Sequence, residues 1–240
     1  MSRKVTEIIM ALYAMGDMHL SFGIKDKPMD IFGDAWQGYM EKLSDRCRAV
    51  LKEDDLLLLV GDLSWATYME QATADFEFVE SLPGKKIISK GNHDYWWDTL
   101  TKLNKYKKEK NLSSIDFLHN NFFVYEDYAI CGNRGWIFSS SQEDIKIYER
   151  ELSRLEFSLL EAEKAGFNKK IVMTHFPPLP ALEAGDGRMV DLMKKYGVEQ
   201  CVYGHLHNIN PKENHSYLIN GIRFRLVASD YLEFAPLRIL

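Results

Sequence analysis

Cysteine is scarce: the 240 residues contain three, Cys47, Cys131 and Cys201. An odd number of widely spaced thiols excludes a disulfide framework and suits reduced, buried side chains in a reducing cytoplasm. Long hydrophobic runs are missing as well. No apolar stretch approaches the ~20 residues that cross a bilayer, which argues against a membrane-spanning protein. Nor is there a surplus of positive charge. Lys and Arg number 30 against 35 Asp and Glu, a formal net charge of −5. That balance gives no electrostatic basis for general binding to nucleic acid or to an anionic membrane. Bound metal ions would reverse the sign locally.

There is no internal repeat, no low-complexity tract and no linker. Hydrophobic residues make up 46% of the chain, enough for a full core, and residues 1–240 read as one domain. Ser2-Arg3-Lys4 and the apolar run Ile8 to Met15 imitate a secretory leader. The run leads straight into Asp17 and His19, however, so it reads as a first strand. Met10 is then a candidate start and residues 1–9 an N-terminal extension.

Short β-like runs mark the candidate strands, and several are continuous apolar runs of about four to six residues, the signature of burial on both faces. The candidate strands are Ile8–Met15, Leu56–Val60, Lys86–Ser89, Phe122–Tyr125, Tyr128–Cys131, Ile171–Thr174, Gln200–Tyr203, Tyr217–Ile219 and Ile222–Val227. Helical spacing of apolar residues covers roughly 34–52, 68–81, 142–165 and 187–196. Ser141 caps the third of these, and Gly166 suits its end. Alternating strands and helices in the first half predict parallel βαβ units. Glu126-Asp127 and Asn220-Gly221 predict hairpins. The expected fold is mixed α/β, two mixed sheets packed together with helices outside.

Five motifs recur at the ends of these runs: Asp17-Met18-His19, Gly61-Asp62, Gly91-Asn92-His93-Asp94, His175-Phe176-Pro177-Pro178 and Gly204-His205-Leu206-His207. They hold five of the chain's seven histidines. In open α/β sheets, ligands gather beyond the carboxyl ends of the strands. Oxygen and imidazole donors without thiolates suit a hydrolytic pair of divalent ions better than a structural zinc. Asp17, His19 and His207 are candidates for one ion, and Asn92, His175 and His205 for the other. Asp62, beside a glycine that lets the backbone approach, is the candidate bridge.

Two divalent ions bring four positive charges, of which Asp17 and Asp62 cancel two. The remainder would attract a phosphate dianion and hold a bridging hydroxide at neutral pH, because metal-bound water can reach a pKa near ~7. Two ions ~3.5–4 Å apart can clamp an in-line displacement at phosphorus. His93 stands between Asn92 and Asp94 and outside the ligand set. It is a candidate general acid for the leaving alcohol, with Asp94 as its orienting partner.

This ordered set, spanning residues 17 to 207, resembles the calcineurin-like metallophosphoesterase superfamily, and small bacterial phosphohydrolases in particular. The resemblance implies a four-layer αββα sandwich, a dinuclear centre and phosphoester hydrolysis. It implies the same roles at the same positions, with Asp62 as the bridge and His93 as the acid. Manganese, iron, zinc and cobalt all suit the donors.

Other features have bland alternatives. Arg134 can donate to a substrate phosphate, as Asn92 and His93 can, or form a structural ion pair. Arg188 reads as a solvated helix start. Trp65 and Tyr95-Trp96-Trp97 can wall a pocket or pack in the core, and core packing is the expectation. Lys102, Lys105, Lys107, Lys108 and Lys110 read as a solvated helix face. His119 and His215 read as non-catalytic. A phosphomonoesterase, a phosphodiesterase, a nuclease of the same fold and a non-catalytic scaffold remain open, with nucleic acid disfavoured by charge and the scaffold by the complete ligand set.

Overall fold

The computed structural model describes residues 10–24, 27, 29–137, 139–179 and 187–240. The proposed extension 1–9, and Ile8 and Ile9 of the expected first strand, lie outside them.

Two sheets form. The first contains β1 (Leu12–Met15), β2 (Leu56–Val60), β3 (Lys85–Ser89) and β4 (Ile115–Leu118), all parallel, with β11 (Leu237–Arg238) antiparallel on β1. The second contains β6 (Tyr128–Asn133), β7 (Lys169–Thr174), β8 (Val198–Tyr203) and β10 (Ile222–Leu226), mutually parallel. Its antiparallel edges are β5 (Phe123–Tyr125) and β9 (Ser216–Ile219). Asn220 and Gly221 join β9 to β10 with φ of 53° and 83°. Two positive φ values make the mirror-image turn that matches strand twist.

Side-chain alternation builds the layers. In β2, Leu58 and Val60 face the second sheet and meet Ile130, Ile171, Met173 and Val202. Leu57 and Leu59 face outward, into a cluster with α1 (Tyr39–Val50), α2 (Thr73–Ser81) and α3 (Leu100–Glu109). Cys131, Val172 and Cys201 pack outward from the second sheet against α4 (Gln142–Lys164) and α5 (Arg188–Lys195). The result is helices, sheet, sheet, helices. Burying a Leu contributes roughly 2 kcal/mol, so the three apolar layers hold the sheets together. All three cysteines are buried and free, and no described helix is long and apolar enough to cross a membrane.

Some boundaries differ from expectation. The helix expected over 34–52 splits into a short 3-10 turn (Asp34–Trp36) and α1, because Gly38 takes φ 59° between them. The helix expected over 68–81 begins at Thr73. Strands β4 and β11 carried no usable pattern. β4 is only four residues with a half-buried Asp116, and β11 is two residues. The lysine cluster does lie along α3, where only Leu103 and Tyr106 are buried.

Candidate metal centre

The parallel strands of each sheet end on one side of the sandwich, and the motifs follow those ends. Asp17 comes two residues after β1, Asp62 two after β2, His175 directly after β7 and His205 two after β8. The chain leaves the strands through strained backbone. Asp17, His19, Asp62 and His205 have φ of 56°, 46°, 48° and 72°. Non-glycine residues in this left-handed region cost energy and cluster at functional sites.

The motif glycines have an unexpected logic. A Cβ at Gly61 would meet His175 at 2.7 Å, one at Gly91 would meet Asp62 Oδ1 at 2.0 Å, and one at Gly204 would meet Asp17 Oδ2 at 2.2 Å. Each glycine therefore makes room for a donor from a different motif.

Two groups of donors result. In the first, His19 Nε2 lies 3.1 Å from His207 Nε2, and Asp17 Oδ1 lies 3.7 Å from His207 Nε2. In the second, His175 Nε2 lies 2.7 Å from Asn92 Oδ1. Asp62 Oδ2 stands between them, 3.8 Å from His19 Nε2 and 3.4 Å from His175 Nε2. His205 holds Asp17 through its backbone N–H, at 3.1 and 3.0 Å from the two carboxylate oxygens. Its ring packs on Phe176 and against His175, with centroids 4.2 and 5.1 Å away.

The donor set fits cations. His175 Nδ1 lies 3.2 Å from the Val60 carbonyl, which can only accept. Nε2 of a neutral His175 is then also an acceptor, facing Asn92 Oδ1 and Asp62 Oδ2. Three acceptors that face one another need a positive charge between them. Without a metal, a proton takes that place. Burial alone would lower the His175 pKa, but the charge of Asp62 and its hydrogen bond raise it to about 9. The same contacts outweigh burial at Asp62 and hold it well below the usual carboxylate range. Asp17 is fully buried, and burial pushes it up to about 7. Neither carboxylate has a Lys or Arg partner among the described residues.

Two second-row carboxylates hold the centre, and one was not foreseen. Asp230 Oδ1 lies 3.1 Å from His207 Nδ1, and its other oxygen accepts from Asn208 N at 2.8 Å. It lies 23 residues beyond His207, after β10, and no spacing in the sequence marks it. The other is Asp94, whose expected role needs correcting. It was expected to orient His93. Instead it accepts from the backbone N–H of Gly91, Asp62, Leu63 and Ser64 at 2.7–3.3 Å, and from Trp96 Nε1 at 3.1 Å. It ties the loop after β2 to the loop after β3, and Nδ1 of His93 is buried without a partner. His93 instead rests on Trp65, with centroids 4.5 Å apart, and burial lowers its pKa.

A cavity of about 210 Å³ opens beside His93, lined also by His19, Met29, Phe32, Trp36, Trp65, His207 and Asn208. Trp65 thus walls the pocket, stacking on His19 at 4.7 Å, whereas Trp96 and Trp97 belong to the core. Arg134 Nη2 lies 3.9 Å from the buried Glu151, and its guanidinium lies over Trp136 at 4.5 Å. Arg188 pairs with Glu149 on the surface. His119 accepts from Trp97, and His215 lies against Tyr231, both outside the donor groups.

Comparisons with known proteins agree with this architecture. TT1561 of Thermus thermophilus aligns over 96% of this chain and 98% of its own, at 14% identity and a TM-score of 0.59. Phosphopantetheinyl hydrolase PptH from Mycobacterium tuberculosis aligns over 96% and 95%, at 13% identity and 0.53. AQ665 of Aquifex aeolicus, described as a protein of unknown function, aligns over 95% of both chains at 15% identity and 0.51. At such identities the likeness shows the fold alone. No curated protein matches the chain. The profile of the calcineurin-like phosphoesterase family, however, matches residues 10–208, and the chain belongs to that family, whose members hydrolyse phosphoesters with metal ions.

Proposed function

We propose that this protein hydrolyses phosphoesters at a centre of two divalent ions, manganese, iron, zinc or cobalt. The observation that carries this reading is the set of mutually facing acceptors, His175 Nε2, Asn92 Oδ1 and Asp62 Oδ2, beside the converging His19 and His207. Asp17, His19 and His207 would hold one ion. Asn92, His175 and His205 would hold the other, with Asp62 placed between the two groups. When bound, the ions would supply Lewis acidity toward the phosphoryl oxygens and a water made acidic enough to act as the nucleophile.

The other residues act directly. His93 borders the cavity next to the donors and gives its proton to the departing alcohol oxygen. Its lowered pKa makes it a ready donor once protonated. Trp36, Trp65, Met29 and Phe32 exclude water around the organic part of the leaving group. Asp94 and Asp230 fix the loops and the His207 ring.

The test is to strip the metals, reload with manganese, and assay a chromogenic phosphomonoester and its diester analogue. Turnover that depends on metal is the expected result. The preferred ester then sets the substrate class. Loaded protein that turns over neither ester would overturn the enzymatic reading and favour a scaffold.

A further inference from the structure

A second cavity is lined in part by Lys90, two residues before Asn92, and by His119, Asn133, Arg134, Glu151 and Arg154. The lining carries three basic side chains, Lys90, Arg134 and Arg154, against the one carboxylate of Glu151, a formal balance of two positive charges. Glu151 is fully buried and has Arg154 at 2.7 Å and Arg134 at 3.9 Å, both on Oε1. Its Oε2 has no partner. Neither do Asn133 Oδ1 and Arg134 Nε, so three of the seven buried orphan polar atoms among the described residues meet here. Lys90 Nζ has no hydrogen bond or ion pair among the described residues. Buried polar groups are nearly always satisfied, and a cluster of exceptions points to a missing partner.

We propose that this cavity is a subsite for a second phosphate group on the substrate, apart from the one at the metal centre. The proposal rests on reading that centre as the hydrolytic site. The orphan atoms specify the ligand. Arg134 Nε and Lys90 Nζ need anionic oxygens, while Glu151 Oε2 and Asn133 Oδ1 need a donor. A hydrogen phosphate offers both, with charged oxygens for the cations and one P–OH for the acceptors. A carboxylate has no donor to give.

The position fits one small molecule. Lys90 precedes the candidate ligand Asn92 by two residues, a span of at most ~7 Å of chain. The carbonyl of Arg134 accepts from Phe176 N at 2.9 Å, beside His175. A substrate held at the metals therefore reaches this cavity with a short linker. Arg154 and Lys90 widen the positive field, and charge-assisted hydrogen bonds are the strong kind.

The experiment is calorimetric and reads no hydrolysis, so it stays informative if the enzymatic reading fails. The metal-loaded full chain is titrated with butane-1,4-bisphosphonate, with butylphosphonate and with 5-phosphonopentanoate, in which a carboxylate replaces one phosphonate. The bisphosphonate is expected to bind about tenfold tighter than either. Lys90→Gln, which breaks no structural contact, should cut that advantage severalfold. Arg154→Gln should do the same, provided its circular dichroism shows it folded. A bisphosphonate that binds no tighter than the monophosphonate, or an advantage untouched by Lys90→Gln, overturns the proposal. Equal binding of the phosphonocarboxylate overturns the choice of phosphate.

Discussion

The imidazole of His207 and the carboxylate of Asp230 face each other at 3.1 Å across two loops that are far apart in the chain. Such a carboxylate accepts the Nδ1 proton, fixes the tautomer, and leaves Nε2 with a lone pair aimed at an ion. Asp230→Ala is therefore expected to weaken metal binding at the His19–His207 position by about 10–100-fold, with the other position less affected. Titration of stripped protein with manganese measures it. Two unchanged binding steps would show that Asp230 only packs.

Asp94 accepts five hydrogen bonds from buried donors. Asparagine has one acceptor oxygen there and turns an amide toward N–H groups. Asp94→Asn should cost about 2–5 kcal/mol of stability, through donors left unsatisfied. Urea unfolding checks this. If stability holds and only the alkaline limb of the pH–rate profile moves, where the general acid His93 loses its proton, the residue orients His93 after all.

His93 is placed to protonate the leaving oxygen, so its removal should matter most where the leaving group is a poor one. His93→Ala is expected to slow alkyl ester hydrolysis by about 10²–10⁴-fold, and 4-nitrophenyl ester hydrolysis far less. Metal content should be unchanged. Equal losses on both substrates would argue against proton donation.

The stability of the metal-free protein should fall as pH rises from 6.5 to 8. His175 is raised from 6.5 to about 9, first against burial and then by Asp62, so its stabilisation is complete below 6.5 and lost on the way to 9. Asp17 and Asp94, raised from 3.8 to about 7 by burial, act in the same direction and finish near 7. His19 and His205, lowered by burial to about 3 and about 4, oppose them only below 6.5. The buried Lys86, lowered to about 8, opposes them only above that pH. Metal binding needs the deprotonated donors, so saturating manganese should flatten or invert the trend. Melting temperatures at pH 6.5 and 8, with chelator and with manganese, decide it. A metal-free protein more stable at pH 8 would sink the argument.

Much of the centre was legible because its donors sit at strand ends, where short motifs mark them. Leu56–Val60 reads as a strand from five apolar residues, and Asp62 follows at once. The supporting residues were less visible. Asp94 sits in a motif, yet its role depends on N–H groups of residues 62–64, some thirty positions earlier. Glu151 looks like one more polar residue of a long helix, although α4 buries it completely. Nothing local shows that Gly91 and Gly204 are needed to leave space for Asp62 and Asp17.

Local pattern along the chain dictates the layers, the strand ends and the identity of the donors. Hydrophobic period and residue chemistry are local properties, and each can be read within a few positions. Folding settles which donors face one another, that Asp230 backs His207, and that Asp94 braces two loops. It also sets Arg134 and Arg154 on Glu151, with Lys90 in the same cavity wall. Those relations join residues from both sheets and α4. They exist only once burial has brought the sheets together, and no local pattern records them.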